Sequence, residues 1–207
     1  MSKYLCIDLK TFYASVECVE RKLDPFSTNL VVADETRGKG TICLAVSPKM
    51  KMLGVKNRCR LYEIPPNIKY IIAKPRMKKY IEYSANIYEI YLKYLSKDDI
   101  YVYSIDEAFL DVTNYLKLYK MDEIELAKTI LKDIYNTYGL TATVGIGTNL
   151  YLAKVALDIM SKHTPTNIGY LDEELYKRKL WHHKPLTDFW QIGRGIEAKL
   201  NKKRIYD

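Results

Sequence analysis

The chain has 207 residues, 48% hydrophobic and 28% charged, a globular composition with enough apolar surface for a core that needs no disulfide or metal staple. Its 33 Lys and Arg outnumber 25 Asp and Glu, and the net charge of +8 favours a polyanionic partner, because Lys and Arg gain by displacing counterions from phosphates. The four cysteines (Cys6, Cys18, Cys43, Cys59) form no C-x-x-C pair and have no nearby histidine, which argues against a zinc site or disulfide framework; no apolar run approaches the ~20 residues of a membrane span, and a signal peptide does not fit a terminus whose apolar run meets a charge at Asp8. A cytoplasmic protein with reduced thiols and no membrane partner is expected. Tyrosine is abundant, 19 against 4 Phe, and suits half-wet surfaces where the ring packs and the hydroxyl stays hydrated.

In chain order, Tyr4-Leu5-Cys6-Ile7 predicts a buried strand ending at Asp8. A helix is predicted over Thr11 to Arg21, with Phe12, Ser15, Val16 and Val19 on one face, Thr11 as its cap and Asp24-Pro25 ending it. Leu30 to Ala33 and Thr41 to Val46 predict a hairpin around the polar turn Asp34 to Gly40, and a short helix follows Pro48 and closes at Gly54. Lys69 to Ala73 is a brief strand between prolines, and residues 76–95 carry a 3.6-residue apolar period that predicts a long helix. Ile100 to Val112 predicts two strands turning around Asp106-Glu107. A helix over 122–138 ended by Gly139, a strand from Thr141 to Ile146 and a helix from Asn149 to Lys162 complete the pattern, with two short helices around Gln191 to Gly195 beyond it. Helices interleaved with a small, largely antiparallel sheet predict an α+β fold.

An adjacent Asp-Glu pair at a turn is ordinarily just solvated. Asp8 changes that reading, because it too ends a buried strand, and strands lying side by side bring distant carboxylates together. Three like charges at close range raise one another's pKa unless a cation is present, and Mg2+, a hard ion that prefers oxygen, is the natural occupant.

At these residues a resemblance becomes visible. Ile7-Asp8-Leu9-Lys10-Thr11-Phe12-Tyr13-Ala14-Ser15-Val16-Glu17 resembles the first motif of the Y-family (UmuC/ImpB/MucB/SamB-type) translesion DNA polymerases. Tyr103-Ser104-Ile105-Asp106-Glu107-Ala108-Phe109-Leu110-Asp111 is similar to the second. Val144-Gly145-Ile146-Gly147, with Asn149-Leu150 and Leu152-Ala153-Lys154-Val155-Ala156, resembles the third. The resemblance runs from about residue 3 to the end, with the motifs in order. It implies an α+β polymerase palm (ferredoxin-like layers of helix on antiparallel sheet) over 1–12 and 76–170, small fingers over 13–75, and from 171 to 207 the start of a helix-hairpin-helix thumb, with the rest of the thumb and the little finger missing from an amino-terminal fragment that would be weakly active or inactive alone.

By the same resemblance Asp8, Asp106 and Glu107 are the catalytic acids and hold two Mg2+ ions (Mn2+ substituting), with the Leu9 backbone carbonyl helping. Tyr13 is a steric gate against the ribose 2′-hydroxyl, and Phe12 lies in or beside the nucleotide pocket. Lys51 and Lys162 contact the triphosphate, the latter at a local spacing one residue longer than in relatives. Lys154 is either a framework residue or a DNA-side residue, and Lys199, Lys202, Lys203 and Arg204 touch backbone phosphates. Three departures stand out: Lys10 where many members carry a second acid, and Pro48 and Lys51 where relatives show Tyr and Arg, so that a point charge replaces a bidentate fork. His163, His182 and His183 receive no role. The implied function is template-directed DNA synthesis from dNTPs on a primer-template, error-prone lesion bypass in SOS-type repair, with a sliding clamp engaged through the missing part. The alternatives are a palm-fold nucleotide cyclase and a catalytically inactive DNA-binding relative.

Overall fold

A computed structural model describes residues 2–161 and 164–207. The chain separates into two compact units, one comprising Met1–Asp8, Tyr91–Lys132 and Ala142–Asp207, the other Leu9–Ile90 and Asp133–Thr141.

The first unit is built on a five-stranded sheet. Its strands in chain order are β1 (Tyr4–Leu9), β5 (Ile100–Val102), β6 (Glu107–Asp111), β7 (Ala142–Gly147) and β8 (Ile168–Leu171), laid side by side as β5-β6-β1-β7-β8. β6 runs antiparallel to both β5 and β1, in a register that sets Cys6 opposite Phe109 and Asp8 opposite Glu107. β8, which the sequence pattern did not announce, pairs parallel with β7. The turn from β5 to β6 closes when the amides of Tyr103 and Ser104 both donate to the Glu107 carbonyl, at 2.9 and 3.0 Å. Glu107 therefore begins β6 and Asp106 ends the turn, rather than the two sharing its apex.

Helix α6 (Leu150–Val155) covers this sheet, capped by Asn149, whose Oδ1 accepts from the Leu152 amide at 2.8 Å. A π-helical turn, Ala156–Met160, continues it. Ala153 and Leu157 bury against Cys6 and Phe109, while Leu152, Val155, Ala156 and Ile159 bury with Leu171, Leu180, Leu186 and Phe189. Helices α7 (Glu173–Leu180) and α8 (Arg194–Lys202) follow, the first capped by Asp172.

The close approach of α6 to the sheet depends on the third motif's glycines. A Cβ on Gly145 would lie 2.0 Å from the Ala153 carbonyl oxygen, and one on Gly147 2.2 Å from the Ala153 nitrogen. No side chain fits in either gap, so the helix axis sits closer to β7 than any Ala or Ser would allow.

The second unit begins at α1 (Phe12–Glu20), and its strands β2 (Leu30–Val32), β3 (Ala45–Val46) and β4 (Ile71–Ala73) form a three-stranded sheet ordered β3-β2-β4. β2 and β3 make the predicted antiparallel pair, while β4 joins β2 in parallel. Val31, Cys43, Val46, Met50, Leu61 and Ile64 are buried in its core, beneath α2 (Pro48–Met52). Thr11 does not cap α1: it takes a left-handed conformation (φ 47°, ψ 41°) and spends its hydroxyl on Ser15 Oγ at 2.9 Å. Nor is α1 one-sided, because Ala14, Glu17 and Cys18 are buried along with Phe12, Ser15 and Val16.

Two long helices, α3 (Met77–Leu92) and α5 (Glu123–Tyr138), appear where the apolar period placed them, and the short α4 (Tyr115–Tyr119) lies between. α5 opens on a reciprocal cap: Asp122 Oδ1 accepts from the amides of Ile124 and Glu125, and Glu125 Oε2 accepts from the Asp122 amide at 3.0 Å. It ends at Gly139, whose φ of +65° is the left-handed conformation that glycine enters without a Cβ penalty. No described helix is long and apolar enough to cross a membrane.

Candidate active site

Asp8 and Glu107 face each other across β1 and β6, two inner strands of the five-stranded sheet, with Asp106 in the turn that leads into β6. Side chains alternate across a strand, so Cys6 and Asp8 share a face of β1, and their partners Phe109 and Glu107 share the same face of β6. Directly opposed residues on antiparallel strands have Cβ atoms about 5 Å apart, which makes Asp8 and Glu107 neighbours although they stand 99 positions apart in the sequence. Asp106 precedes Glu107 in the turn, where its Oδ1 accepts from Ser104 Oγ at 2.8 Å. All three acids are half-buried.

Glu107 is held on one side. Its Oε1 lies 2.7 Å from Lys154 Nζ and accepts from the Cys6 thiol at 3.1 Å. Lys154 also reaches Asp158 Oδ1 at 3.2 Å, one helical turn along. Burial by itself would lower the lysine pKa, but the hydrogen bond to Glu107 and the charges of Asp158 and Glu107 outweigh it and push the pKa up, so the ammonium is firmly charged. The Cys6 thiol is pushed up first by burial and then by the Glu107 charge, which keeps it a neutral donor. Tyr91 is pushed up as well, by burial first and then by the nearby charge of Asp8.

The structure adds a partner to the sequence reading of Lys154. Only 8% exposed, its charge is engaged inside the fold by two carboxylates, Glu107 and Asp158. Sequence reasoning missed the pairing because it depends on how closely α6 docks, which the two glycines decide.

Among the described residues, no three His, Cys, Asp or Glu side chains converge as a ready-made metal cage. The donor set is nonetheless that of a hard divalent cation, carboxylate oxygen throughout. Asp106 Oδ1 is engaged by Ser104 and Glu107 Oε1 by Lys154 and Cys6, so the second oxygen of each, Oδ2 and Oε2, is the one placed to meet a cation.

The aromatic pair of the first motif lies in the other unit. Phe12 is buried at the start of α1, and Tyr13 is half-buried beside it, ring centroids 5.7 Å apart. Tyr80 of α3, fully buried, lies closer still to Tyr13, at 4.6 Å and 37°. Its hydroxyl donates to Glu17 Oε1 at 2.8 Å. Glu17 is itself fully buried and accepts two parallel bonds from Arg76, from Nε and Nη2 at 2.9 Å each, and a further one from Arg21. The first motif's spacing flagged Glu17; nothing in the sequence paired it with Arg76 and Tyr80.

Burial tends to raise the Glu17 pKa, but the hydrogen bonds from Arg76, Arg21 and Tyr80 outweigh it and hold the carboxyl below its usual range. Since the folded-state pKa is the lower one, this group's contribution to stability is complete above about pH 5 and is lost as pH falls through the folded value. Glu17 is fully buried but Arg76 is 41% exposed, so solvent screens the pair, and Arg21 and Tyr80 remain on the carboxylate if Arg76 is lost. Arg76→Ala is expected to lower unfolding free energy by about 1 kcal/mol at pH 7 and to flatten the acid limb of the stability profile, as urea titrations between pH 3 and 7 would show. An unchanged profile would mean that Arg21 and Tyr80 hold the carboxylate by themselves.

Of the remaining predicted residues, Leu9 is buried at the end of β1 immediately after Asp8, and Lys51 is exposed on α2. Lys199 and Lys202 are exposed on α8, with Lys203 exposed just past its end. Lys162 lies outside the described residues.

A family model described as impB/mucB/samB matches residues 7–158, a span that contains the three acids, the aromatic pair and Lys154. The chain belongs to the impB/mucB/samB family. Relatives in Bacillus subtilis (strain 168) include UvrX, whose name marks it as a UV-damage repair protein, 39% identical over 97% of this chain and 47% of its own length. Another, DNA polymerase IV 2, is 35% identical over 96% of this chain and 47% of its own. Among solved structures, DinB from Sulfolobus solfataricus superposes with a TM-score of 0.78 at 29% identity, and the insertion ternary complex of Dbh DNA polymerase with 0.81 at 28%; each match covers 99% of this chain and 58% of the other. The α+β fold of this family member is thus the palm-and-fingers fold of those Y-family polymerases. The chain spans about half the length of the curated relatives it matches.

Proposed function

We propose that the chain carries out template-directed DNA synthesis, transferring a nucleotidyl group from a dNTP to a primer 3′-hydroxyl, as an error-prone lesion-bypass polymerase of an SOS-type damage response in the cytoplasm. The observation that carries this is the cross-strand pairing of Asp8 with Glu107, Asp106 adjacent, at the motif positions of a family whose named members include DNA polymerases IV. In this reading residues 1–12 and 76–170 are the palm, 13–75 the fingers and 171–207 the start of the thumb.

Asp8, Asp106 and Glu107, with the Leu9 carbonyl, would hold two Mg2+ ions, which when bound would supply charge neutralisation at the triphosphate and lower the pKa of the attacking hydroxyl. The chain's own contribution is positioning, which is most of what phosphoryl transfer asks of a protein. Lys154 and Cys6 fix one oxygen of Glu107, Ser104 fixes one oxygen of Asp106, and the closed β5–β6 turn holds both acids where β6 begins. Tyr13 excludes the 2′-hydroxyl, the group by which RNA and DNA substrates differ, with Phe12 beside it. Lys51 and Lys162 act as point charges toward the triphosphate. Lys199, Lys202 and Lys203 meet backbone phosphates, and a sliding clamp is a further partner of the whole protein.

The test is nucleotide insertion on a primed template whose first unpaired base is changed in turn through all four. An incorporated nucleotide that follows the template base and requires Mg2+ or Mn2+ supports the proposal. Conversion of free nucleoside triphosphate to a cyclic product without a template would replace it with the cyclase reading. DNA binding with no insertion under either metal would replace it with an inactive DNA-binding relative.

A further inference from the structure

A ring that excludes a hydroxyl by contact must not swing, because a wall that yields by an ångström excludes nothing. Tyr13 sits half-buried at the second position of α1, and a tyrosine there has two rotatable bonds of its own. Rings packed beside it limit that motion. Phe12 contributes one neighbour at 5.7 Å, but the nearer support is Tyr80, at 4.6 Å.

Tyr80 is more firmly held than packing requires. It has no solvent exposure, and a phenylalanine would fill the same space without a polar atom to satisfy. Instead its hydroxyl is bound at 2.8 Å by Glu17, a carboxylate with no exposure either, which Arg76 grips with two parallel 2.9 Å bonds. Glu17 stands one helical turn after Tyr13 on α1, and Tyr80 one turn after Arg76 at the start of α3, so the carboxylate ties the base of one helix to the other. Burying a carboxylate, here beneath a guanidinium that is 41% exposed, contributes little net stability compared with apolar packing, and one use of such networks is to select a single geometry.

We propose that Tyr80, tethered by Glu17 and Arg76, is the positioning residue that fixes the Tyr13 ring and thereby sets discrimination between deoxyribose and ribose. The inference rests on the reading of Tyr13 as the sugar-contacting ring. Glu17 and Tyr80 touch neither substrate nor metal; they act through Tyr13.

The experiment measures the ratio of ATP to dATP insertion opposite a template thymine under single-turnover conditions, with the chain in excess over primer-template. It compares wild type, Tyr13→Ala, Tyr80→Ala and Tyr80→Phe. Deleting a close contact in a discriminating pocket shifts a specificity ratio by about 10- to 200-fold. Tyr13→Ala should therefore raise the ATP:dATP ratio about a hundredfold, and Tyr80→Ala about tenfold. Tyr80→Phe, which keeps the ring and loses only the tether, should raise it about threefold, the size of one weak hydrogen bond. A merely structural role would lower thermal stability in both Tyr80 variants and leave the ratio alone.

The second measurement needs no turnover: in protein with 13C-labelled tyrosine, the two edges of the Tyr13 ring should be distinct in wild type and averaged in Tyr80→Ala. A raised ratio in Tyr13→Ala with a wild-type ratio in Tyr80→Ala overturns the proposal and leaves the gate reading standing. An unchanged ratio in Tyr13→Ala overturns the gate reading, and the proposal with it. If the chain inserts neither nucleotide, the ring signals decide, and an unaveraged Tyr13 ring in Tyr80→Ala is fatal to the positioning role.

Discussion

Asp106→Ala/Glu107→Ala is expected to abolish nucleotide insertion, by about a thousandfold or more, while leaving a folded protein. A thousandfold corresponds to about 4 kcal/mol of transition-state stabilisation, the range that a charge-neutralising cation at a phosphoryl centre supplies. Without these two side chains only Asp8 of the trio remains, and one carboxylate does not organise a pair of divalent ions against their hydration. The fold should survive for a reason visible in the site. Lys154 loses Glu107 but keeps Asp158 at 3.2 Å, so its buried ammonium is not orphaned, and the β5–β6 turn is closed by backbone bonds to the Glu107 carbonyl that alanine retains. Insertion assays should be paired with calorimetric titration of Mn2+ and a urea unfolding curve. Loss of insertion and of metal heat with a near-normal unfolding midpoint is the expected result; insertion within tenfold of wild type would remove the acids from the chemistry.

Gly145→Ala is expected to be the most damaging single substitution for stability. The added methyl would stand 2.0 Å from the Ala153 carbonyl oxygen and 2.2 Å from the Leu157 nitrogen, both backbone atoms of the α6 and π-turn segment. Carbon atoms in contact need about 3.5 Å, so the segment must withdraw by an ångström or more, stripping the contacts of Ala153 and Leu157 with Cys6 and Phe109. No side-chain rotation can relieve a clash with backbone. A loss above about 4 kcal/mol follows, at the extreme of single-site effects and a large share of the 5–15 kcal/mol that holds a domain together. The same withdrawal would pull Lys154 off Glu107. Gly195→Ala is the control: a Cβ there meets nothing within 4 Å, it lies in α8, and the change should be neutral or stabilising by up to about 1 kcal/mol. Equal unfolding midpoints for the two variants would refute the close-approach argument.

The long helices were legible because they report themselves locally. The apolar period of α3 and α5 and the Asp122/Glu125 and Gly139 punctuation of α5 are properties of consecutive residues. The acids were legible for a different reason: strand ends carrying charge are conspicuous against apolar neighbours, and the motif order around Asp8 and Asp106-Glu107 is specific. The Thr11 cap was misread because a cap is a conformation as well as a residue type, and Thr11 enters the left-handed region where its hydroxyl turns to Ser15. The strand β8 escaped notice because Ile-Gly-Tyr-Leu is too short to show a period, and its parallel partner β7 lies 24 residues earlier in the register.

What the sequence determined by itself is the inventory: where the long helices run, which strands carry carboxylates at their ends, and which family's motifs they form; the helices α4 and α7 it did not announce. What the tertiary structure decided is which charges meet. Lys154, one of 33 Lys and Arg, is set apart only by being buried against Glu107, and Glu17, one of 25 Asp and Glu, only by its place between Arg76, Arg21 and Tyr80. Electrostatic energy falls off over a few ångströms and depends on how far water is excluded, and both quantities are fixed by packing between segments tens of residues apart. Here that packing turns on two glycines short enough to let a helix touch its sheet and on one buried carboxylate that ties two helix ends together.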